Sequence, residues 1–241
     1  MTKIWSLKER HKEVRRRTES GTGIGRAVFA GGNEGDAGGT VTIDYVTIAS
    51  TGDATDFGDT SAAEEMAGGF SSSIKGFFCG SGSPQTTIEQ VTIASTGNAS
   101  DFGNTTLARY FMGGSANSTR GLFSGGETGP SDTNVIDYIT MASTGNAADF
   151  GDLSSARRNH SQHPSSPTRA VFCGGQAPGV TDVMERVSFA STGNAIDFGN
   201  LTASRGALGG FSSRTRGVVG GGYETPAAVN KIEYFSIETT G

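Results

Sequence analysis

The strongest hydrophobic rhythm in the chain alternates with period two, as in Ile136-Asp137-Tyr138-Ile139-Thr140-Met141-Ala142, and predicts a half-buried β-strand. Before each such stretch stands a short apolar run that closes on glycine: Val28-Phe29-Ala30-Gly31-Gly32, Phe77-Phe78-Cys79-Gly80, Leu122-Phe123-Ser124-Gly125-Gly126, Val171-Phe172-Cys173-Gly174-Gly175 and Val218-Val219-Gly220-Gly221-Gly222. A variable segment comes earlier still, as in Tyr110 to Ser115 and Ala207 to Ser212, and reads as a first strand. After the long strand, Gly145-Asn146 predicts a tight hairpin turn, as do Gly52-Asp53, Gly97-Asn98 and Gly193-Asn194, because glycine beside Asn or Asp supplies a positive φ. Asp149-Phe150-Gly151 then marks a fourth strand.

The order repeats. The phrase Ala142 to Gly151 returns around Thr51, Thr96 and Thr192 and begins again at Thr240, in steps of 45, 48, 48 and 48 residues. Such a period means that each copy is one supersecondary unit that buries its apolar faces only against its neighbours. Composition agrees: 38 glycines against 6 prolines in 241 residues place glycine at defined turns, and 34% apolar content suits thin sheets of small side chains.

Charge separates the ends. The first twenty residues carry a net +4 and the remainder −9, so the head is the electrostatic candidate for an acidic partner and the body is a poor surface for nucleic acid. Residues 1–20 read as a short strand and a basic helix, with Ser6 and Glu9 in capping-box spacing, and residues 21–241 as the repeat domain. Cys79 and Cys173 fall at one repeat position two copies apart and are expected to be free, buried and small. No signal peptide or membrane-spanning run is apparent.

One charge pattern is explicit. A cation stands near the start of every second strand (Arg26, Lys75, Arg120, Arg169, Arg216) and an acid near the start of every third (Asp44, Glu89, Asp137, Glu185, Glu233). An antiparallel hairpin is expected to join them as five cross-strand ion pairs that fix register. Phe57, Phe102, Phe150 and Phe198 of the Asp-Phe-Gly strands are expected to fill the core between sheets.

Candidate chemistry is sparse. The Asp-Phe-Gly triplet recurs four times without the other kinase segments, which makes it structural. The pairs Asp56/Asp59, Asp101/Asn104, Asp149/Asp152 and Asp197/Asn200 offer too few oxygens for calcium, and His160 with His163 lacks a third ligand. Neither a metal nor a cofactor is therefore expected. Acids that are the same in every copy also argue against catalysis, which needs one carboxyl to differ from its fellows. Variable loops carry the candidates for recognition, with His160, His163 and Tyr223 foremost.

The glycine doublet after a short strand, the aromatic about twenty-five residues on, and the Arg seven residues beyond it (Arg109, Arg157, Arg205) resemble the kelch repeat, with Phe where kelch has Trp and Glu64 in place of the first Arg. The resemblance implies an all-β, five-bladed propeller of four-stranded antiparallel blades. Its fifth blade lacks an Asp-Phe-Gly strand, which residues 2 to 7, with Ile4, Trp5 and Leu7, are expected to supply, closing the ring. A linear solenoid or an intertwined trimeric fibre stays open as the alternative. The phrase Ile-Ala-Ser-Thr-Gly-Asn-Ala together with Ile4-Trp5-Ser6-Leu7 is also similar to repeats in virion structural proteins of tailed bacteriophages, notably marine cyanophages. That resemblance implies a non-enzymatic protein of the virion, made in the host cytoplasm. It would be attached to tail or capsid proteins through its N-terminal segment and propeller faces, with possible host contact, and without nucleic acid or membrane insertion. A carbohydrate-binding module that contacts host glycans is the alternative function, and a glycosidase the third.

Overall fold

A computed structural model describes residues 25–32, 38–64, 68–80, 83–158 and 163–239. Among them there is no helix, and every sheet is antiparallel. The lead residues Ile4, Trp5 and Leu7, the expected N-terminal helix and His160 lie outside the described residues.

Five consecutive units repeat one meander. Unit 1 comprises β1 (Arg26–Ala30), β2 (Thr40–Thr47) and β3 (Thr55–Glu64), and unit 2 comprises β4 (Gly68–Ser71), β5 (Lys75–Cys79), β6 (Gln85–Thr92) and β7 (Ser100–Arg109). Unit 3 is β8 (Gly113–Ala116), β9 (Arg120–Ser124), β10 (Val135–Thr140) and β11 (Ala148–Asp152). Unit 4 holds β12 (Arg169–Cys173), the ribbon β13 (Gln176–Ala177) with β14 (Gly179–Val180), then β15 (Val183–Ser188) and β16 (Ile196–Asn200). Unit 5 holds β17 (Gly209–Ser212), β18 (Arg216–Gly220), the ribbon β19 (Tyr223–Glu224) with β20 (Ala227–Ala228), and β21 (Ile232–Ser236). Units 2 and 3 show all four strands in chain order across the sheet.

The core lies between units rather than within any one sheet. Ile43 and Phe57 of unit 1 pack on Val91 of unit 2. Phe77, Ile88 and Phe102 of unit 2 pack on Met112, Phe123 and Met141 of unit 3. Phe150 meets Phe172 and Phe189, and Phe198 meets Val219 and Ile237. The four Asp-Phe-Gly phenylalanines are all buried, as expected. Each is the large side chain that thin, glycine-rich sheets require to fill the space to the next sheet. Cys79 and Cys173 are free and buried in the same layers, and burial pushes the Cys79 thiol up to about 12.

The Gly-Asn phrase does something other than expected. The hairpin reverses earlier, at Ile93–Ala94, where Ser95 N–H donates to the Thr92 carbonyl at 3.1 Å. The following Gly97 N–H and Ala99 N–H donate to the Phe57 and Asp59 carbonyls of the preceding unit at 2.7 and 2.8 Å. Asn98 Oδ1 accepts from Asp59 N–H at 3.1 Å. The same seating recurs for Gly145 and Ala147 on Phe102 and Asn104, and for Gly193 and Ala195 on Phe150 and Asp152. Each phrase thus covers the outer edge of the sheet before it, which removes an exposed strand edge. A Cβ on Gly58, Gly103 or Gly151 would stand 2.5, 2.3 or 2.5 Å from the backbone of the seated phrase, which is why the triplet ends in glycine.

Candidate functional site

The polar machinery of this protein is concentrated at the seams between consecutive units. Among the described residues the expected cross-strand ion pairs do not form. In an antiparallel hairpin the start of one strand meets the end of the other, so Arg26 stands opposite Thr47 while Asp44 faces Phe29. Likewise Lys75 faces Thr92, Arg120 faces Thr140, Arg169 faces Ser188 and Arg216 faces Ser236, whereas Glu89, Asp137, Glu185 and Glu233 face Phe78, Phe123, Phe172 and Val219.

Three of the five cations bind across the seam instead, and Lys75 and Arg216 stay within their own units. Arg26 Nη1 donates to the Ile93 carbonyl of the next unit at 3.0 Å, Arg120 Nη1 to Phe189 at 2.7 Å, and Arg169 Nη1 to Glu238 at 2.8 Å. Arg26, Arg120 and Arg216 lie over Tyr45, Tyr138 and Tyr234 at 4.3, 4.9 and 4.7 Å, and Lys75 Nζ donates to Gln90 Oε1 at 2.8 Å.

The acids face backward, into the unit before. Glu89 accepts from Ser61 N–H at 2.9 Å, Asp137 from Thr106 N–H at 3.1 Å, Glu185 from Ser154 N–H at 3.0 Å and Glu233 from Thr202 N–H at 3.0 Å. In three seams a buried guanidinium completes the clamp. Arg109 Nη2 lies 2.8 Å from Asp137 Oδ2, Arg157 Nη2 2.5 Å from Glu185 Oε2, and Arg205 Nη2 binds Glu233 Oε1. Arg109 also donates to the Val135 and Phe123 carbonyls at 3.1 and 3.3 Å, so its fork ties two strands of unit 3 to the last strand of unit 2. Burial alone would raise the Glu233 carboxyl, but the Thr202 amide and hydroxyl and the Arg205 charge outweigh it and hold it below the usual range.

The seam between units 1 and 2 departs from this plan. Glu64 stands where the others have arginine, it is 3% exposed beside Glu89 at 4%, and Gln85 Nε2 donates to its Oε1 at 2.8 Å. Its Oε2 is buried without a partner among the described residues. Burial, with Glu89 adding to it against the Gln85 hydrogen bond, pushes the Glu64 carboxyl up to about 8.

His163 is not in a surface recognition loop. It is buried, its ring meets Phe172 edge-on at 5.2 Å, and its Nδ1 accepts from Cys173 N–H at 3.4 Å. It occupies the space left by Gly113, whose added Cβ would fall 2.1 Å from Nε2. Burial first, and the Arg157 charge second, lower its pKa from 6.5 to about 3. The unfolded chain therefore takes up a proton below pH 6.5 that the folded chain refuses, and stability falls from about pH 6.5 toward 3, by up to roughly 1.4 kcal/mol per pH unit. The ring resonances of His163 should remain those of neutral imidazole at pH 5; a midpoint above pH 5 would contradict the burial.

Tyr223, by contrast, is 42% exposed at the start of β19. It bridges to Gly206, as Glu127 does to Tyr110 and Gln176 to Arg158, so successive loops are stitched to the unit before them on one face. Tyr110 and Phe111 meet as a tilted pair with ring centroids 4.3 Å apart, Arg158 lies 5.9 Å over Phe111, and Arg158 pairs with Glu127. The aspartates of the paired-oxygen loops cap turns: Asp56 Oδ1 accepts from Gly58 N–H at 3.2 Å and Asp101 Oδ1 from Gly103 N–H at 3.0 Å. Among the described residues no group of three His, Cys, Asp or Glu is placed to hold a metal.

The clamp was missed on the sequence for want of one count: Arg109, Arg157 and Arg205 each precede their acid by 28 residues, an interval that crosses from one unit into the next. A scan against protein-family models finds no match to this chain, and a search of the curated proteins finds none either.

Proposed function

We propose that this chain is a non-enzymatic structural protein of a phage virion, a five-bladed kelch-like propeller attached to tail or capsid and presenting its loop face outward for assembly or host contact. The observation that carries this reading is the use of the repeated acids: they are committed to joining units, where an enzyme would leave them converging on a cleft. Glu64 and Glu89 do differ in environment, as an acid–base pair must, but both are too deeply buried to receive a substrate.

The two ends of the array carry uncovered seam faces, a feature that an open array and an unsealed ring share. Ile48 of unit 1 is 68% exposed, whereas its counterparts Ile93, Met141, Phe189 and Ile237 are at most 9% exposed. Ile232 of unit 5 is 76% exposed, whereas Ile43, Ile88, Ile136 and Met184 are at most 4% exposed. These are complementary halves of the seam that recurs between the other units. A groove of about 700 Å³ lined by Phe29, Phe70 and Leu208 brings units 1, 2 and 5 to one place. Residues 2 to 7, with Ile4, Trp5 and Leu7, are the proposed strand on the open edge of β21. Light scattering tests it: full-length protein is expected to be a compact monomer and a version lacking residues 1–14 to associate. An elongated trimer of the full chain would instead support the fibre.

The second reading, a glycan-binding module, draws on the exposed Tyr223 and the tilted Tyr110–Phe111 pair, since an aromatic face suits a sugar ring. Binding to host glycans that is lost in Phe111→Ala would favour it over a purely structural role. Among the described residues no helix is long and apolar enough to cross a membrane.

A further inference from the structure

We infer that the seam between units 1 and 2 is a pH-operated joint, closed while Glu64 carries a proton and opened when Glu64 ionises beside Glu89. Glu64 faces Gln85 in the structural place that Arg109 takes toward Val135, at the end of the last strand of its unit. Three seams therefore set a cation against the backward-reaching acid, and this one sets a second acid.

Among the described residues the groups around Glu64 offer no compensation. From β6 come the neutral amide of Gln85 and the Glu89 carboxylate, and from β5 comes the Cys79 thiol, which burial keeps protonated. From β7, Arg109 acts on Cys79 but directs its guanidinium to Asp137, Phe123 and Val135. From unit 1, Gly32 N–H donates only to the backbone carbonyl of Glu64 at 2.8 Å. Among the described residues no cation pairs with Glu64 or Glu89. A protonated Glu64 is tolerated in such a place because it is neutral, and the single hydrogen bond from Gln85 suits it. An ionised one leaves a buried oxygen unpaired and adds like-charge repulsion. Relief requires water, and water reaches these groups only if the sheets part.

The sign follows from the raised pKa. A carboxyl at about 8 in the folded chain against 4.5 unfolded contributes stability that is intact below pH 4.5 and is lost as pH rises toward 8. Above pH 8 Glu64 is ionised whether the seam is closed or open, and the loss levels off. The other three seams set an arginine against the acid in place of a second carboxyl.

Hydrogen exchange of the full-length protein, read by mass spectrometry at pH 6 and pH 9 and corrected for intrinsic rates, tests the proposal. Ser61 N–H, held by Glu89, is expected to lose protection by roughly tenfold per pH unit from pH 6 to 8 and no further to pH 9, while Thr106 N–H and Ser154 N–H, held by Asp137 and Glu185, keep theirs. Glu64→Gln should remove the pH dependence at Ser61, and Glu64→Arg should remove it and raise protection at both pH values. Equal loss at all three seams, or retention of the loss in Glu64→Gln, overturns the proposal. The glutamine variant decides the matter even where the arginine variant does not fold.

Discussion

Arg109→Met is expected to lower the unfolding free energy by about 3–5 kcal/mol, because it removes one partner of a fully buried pair and leaves the Asp137 carboxylate with only Thr106 as donor. Arg109 and Asp137 are both 0% exposed, so no water replaces the lost guanidinium. The Val135 and Phe123 carbonyls lose a donor at the same time. Arg109→Lys should recover little, since an ammonium cannot hold the acid and both carbonyls through one planar fork. The double variant Arg109→Met with Asp137→Leu should regain most of the loss, because removing both charges also removes the unpaired one. Denaturant midpoints of the three variants measure this directly. A cost below about 1 kcal/mol for Arg109→Met would mean that the seam is wet and the clamp dispensable.

Gly103→Ala is expected to cost more than about 3 kcal/mol and to separate units 2 and 3, an effect of steric origin. The new Cβ would stand 2.3 Å from the Gly145 carbonyl oxygen and 2.5 Å from its carbon, backbone atoms that no rotamer change can move aside. Moving the phrase away would break Gly145 N–H to Phe102 and Ala147 N–H to Asn104, both at 2.8 Å. The φ of 149° at Gly103 adds strain for any residue with a Cβ. Gly179→Ala is the control: an added Cβ there meets nothing within 4 Å, and it should change stability by less than about 0.5 kcal/mol. Thermal unfolding of the two variants side by side separates a lost seam from a general intolerance of alanine. If Gly103→Ala proves as mild as the control, the seating of the Gly-Asn phrase is wrong.

Much of the local order was legible because it depends on near neighbours in the chain. The apolar run into a glycine doublet, the alternating third strand and the buried phenylalanine of the fourth are properties of a few consecutive residues, and they reappear as strands and core at those places. The cross-strand ion pairs went wrong for a definite reason. Arg26 and Asp44 recur at matched places in every copy, but regular recurrence fixes spacing along the chain and leaves partners across it undetermined. Gly97-Asn98 misled in a similar way, since the same dipeptide that suits a hairpin reversal also suits a flat, side-chain-free seat on another sheet. His163 looked like a polar loop residue because the glycine that makes room for it, Gly113, is fifty residues earlier.

The sequence alone determined the recurrence of the units, the four-strand order that units 2 and 3 show in full and units 1, 4 and 5 show in three strands among the described residues, and the positions of the large apolar side chains, since period and alternation encode these directly. Only the tertiary structure decided which charges meet. It showed that the acids reach backward to Arg109, Arg157 and Arg205, that Arg26, Arg120 and Arg169 reach forward to carbonyls, and that Glu64 takes an arginine's place with no cation paired to it among the described residues. The physical reason is that charge pairing in this protein crosses from sheet to sheet. Distances there are set by how the sheets pack, a quantity that no single repeat contains.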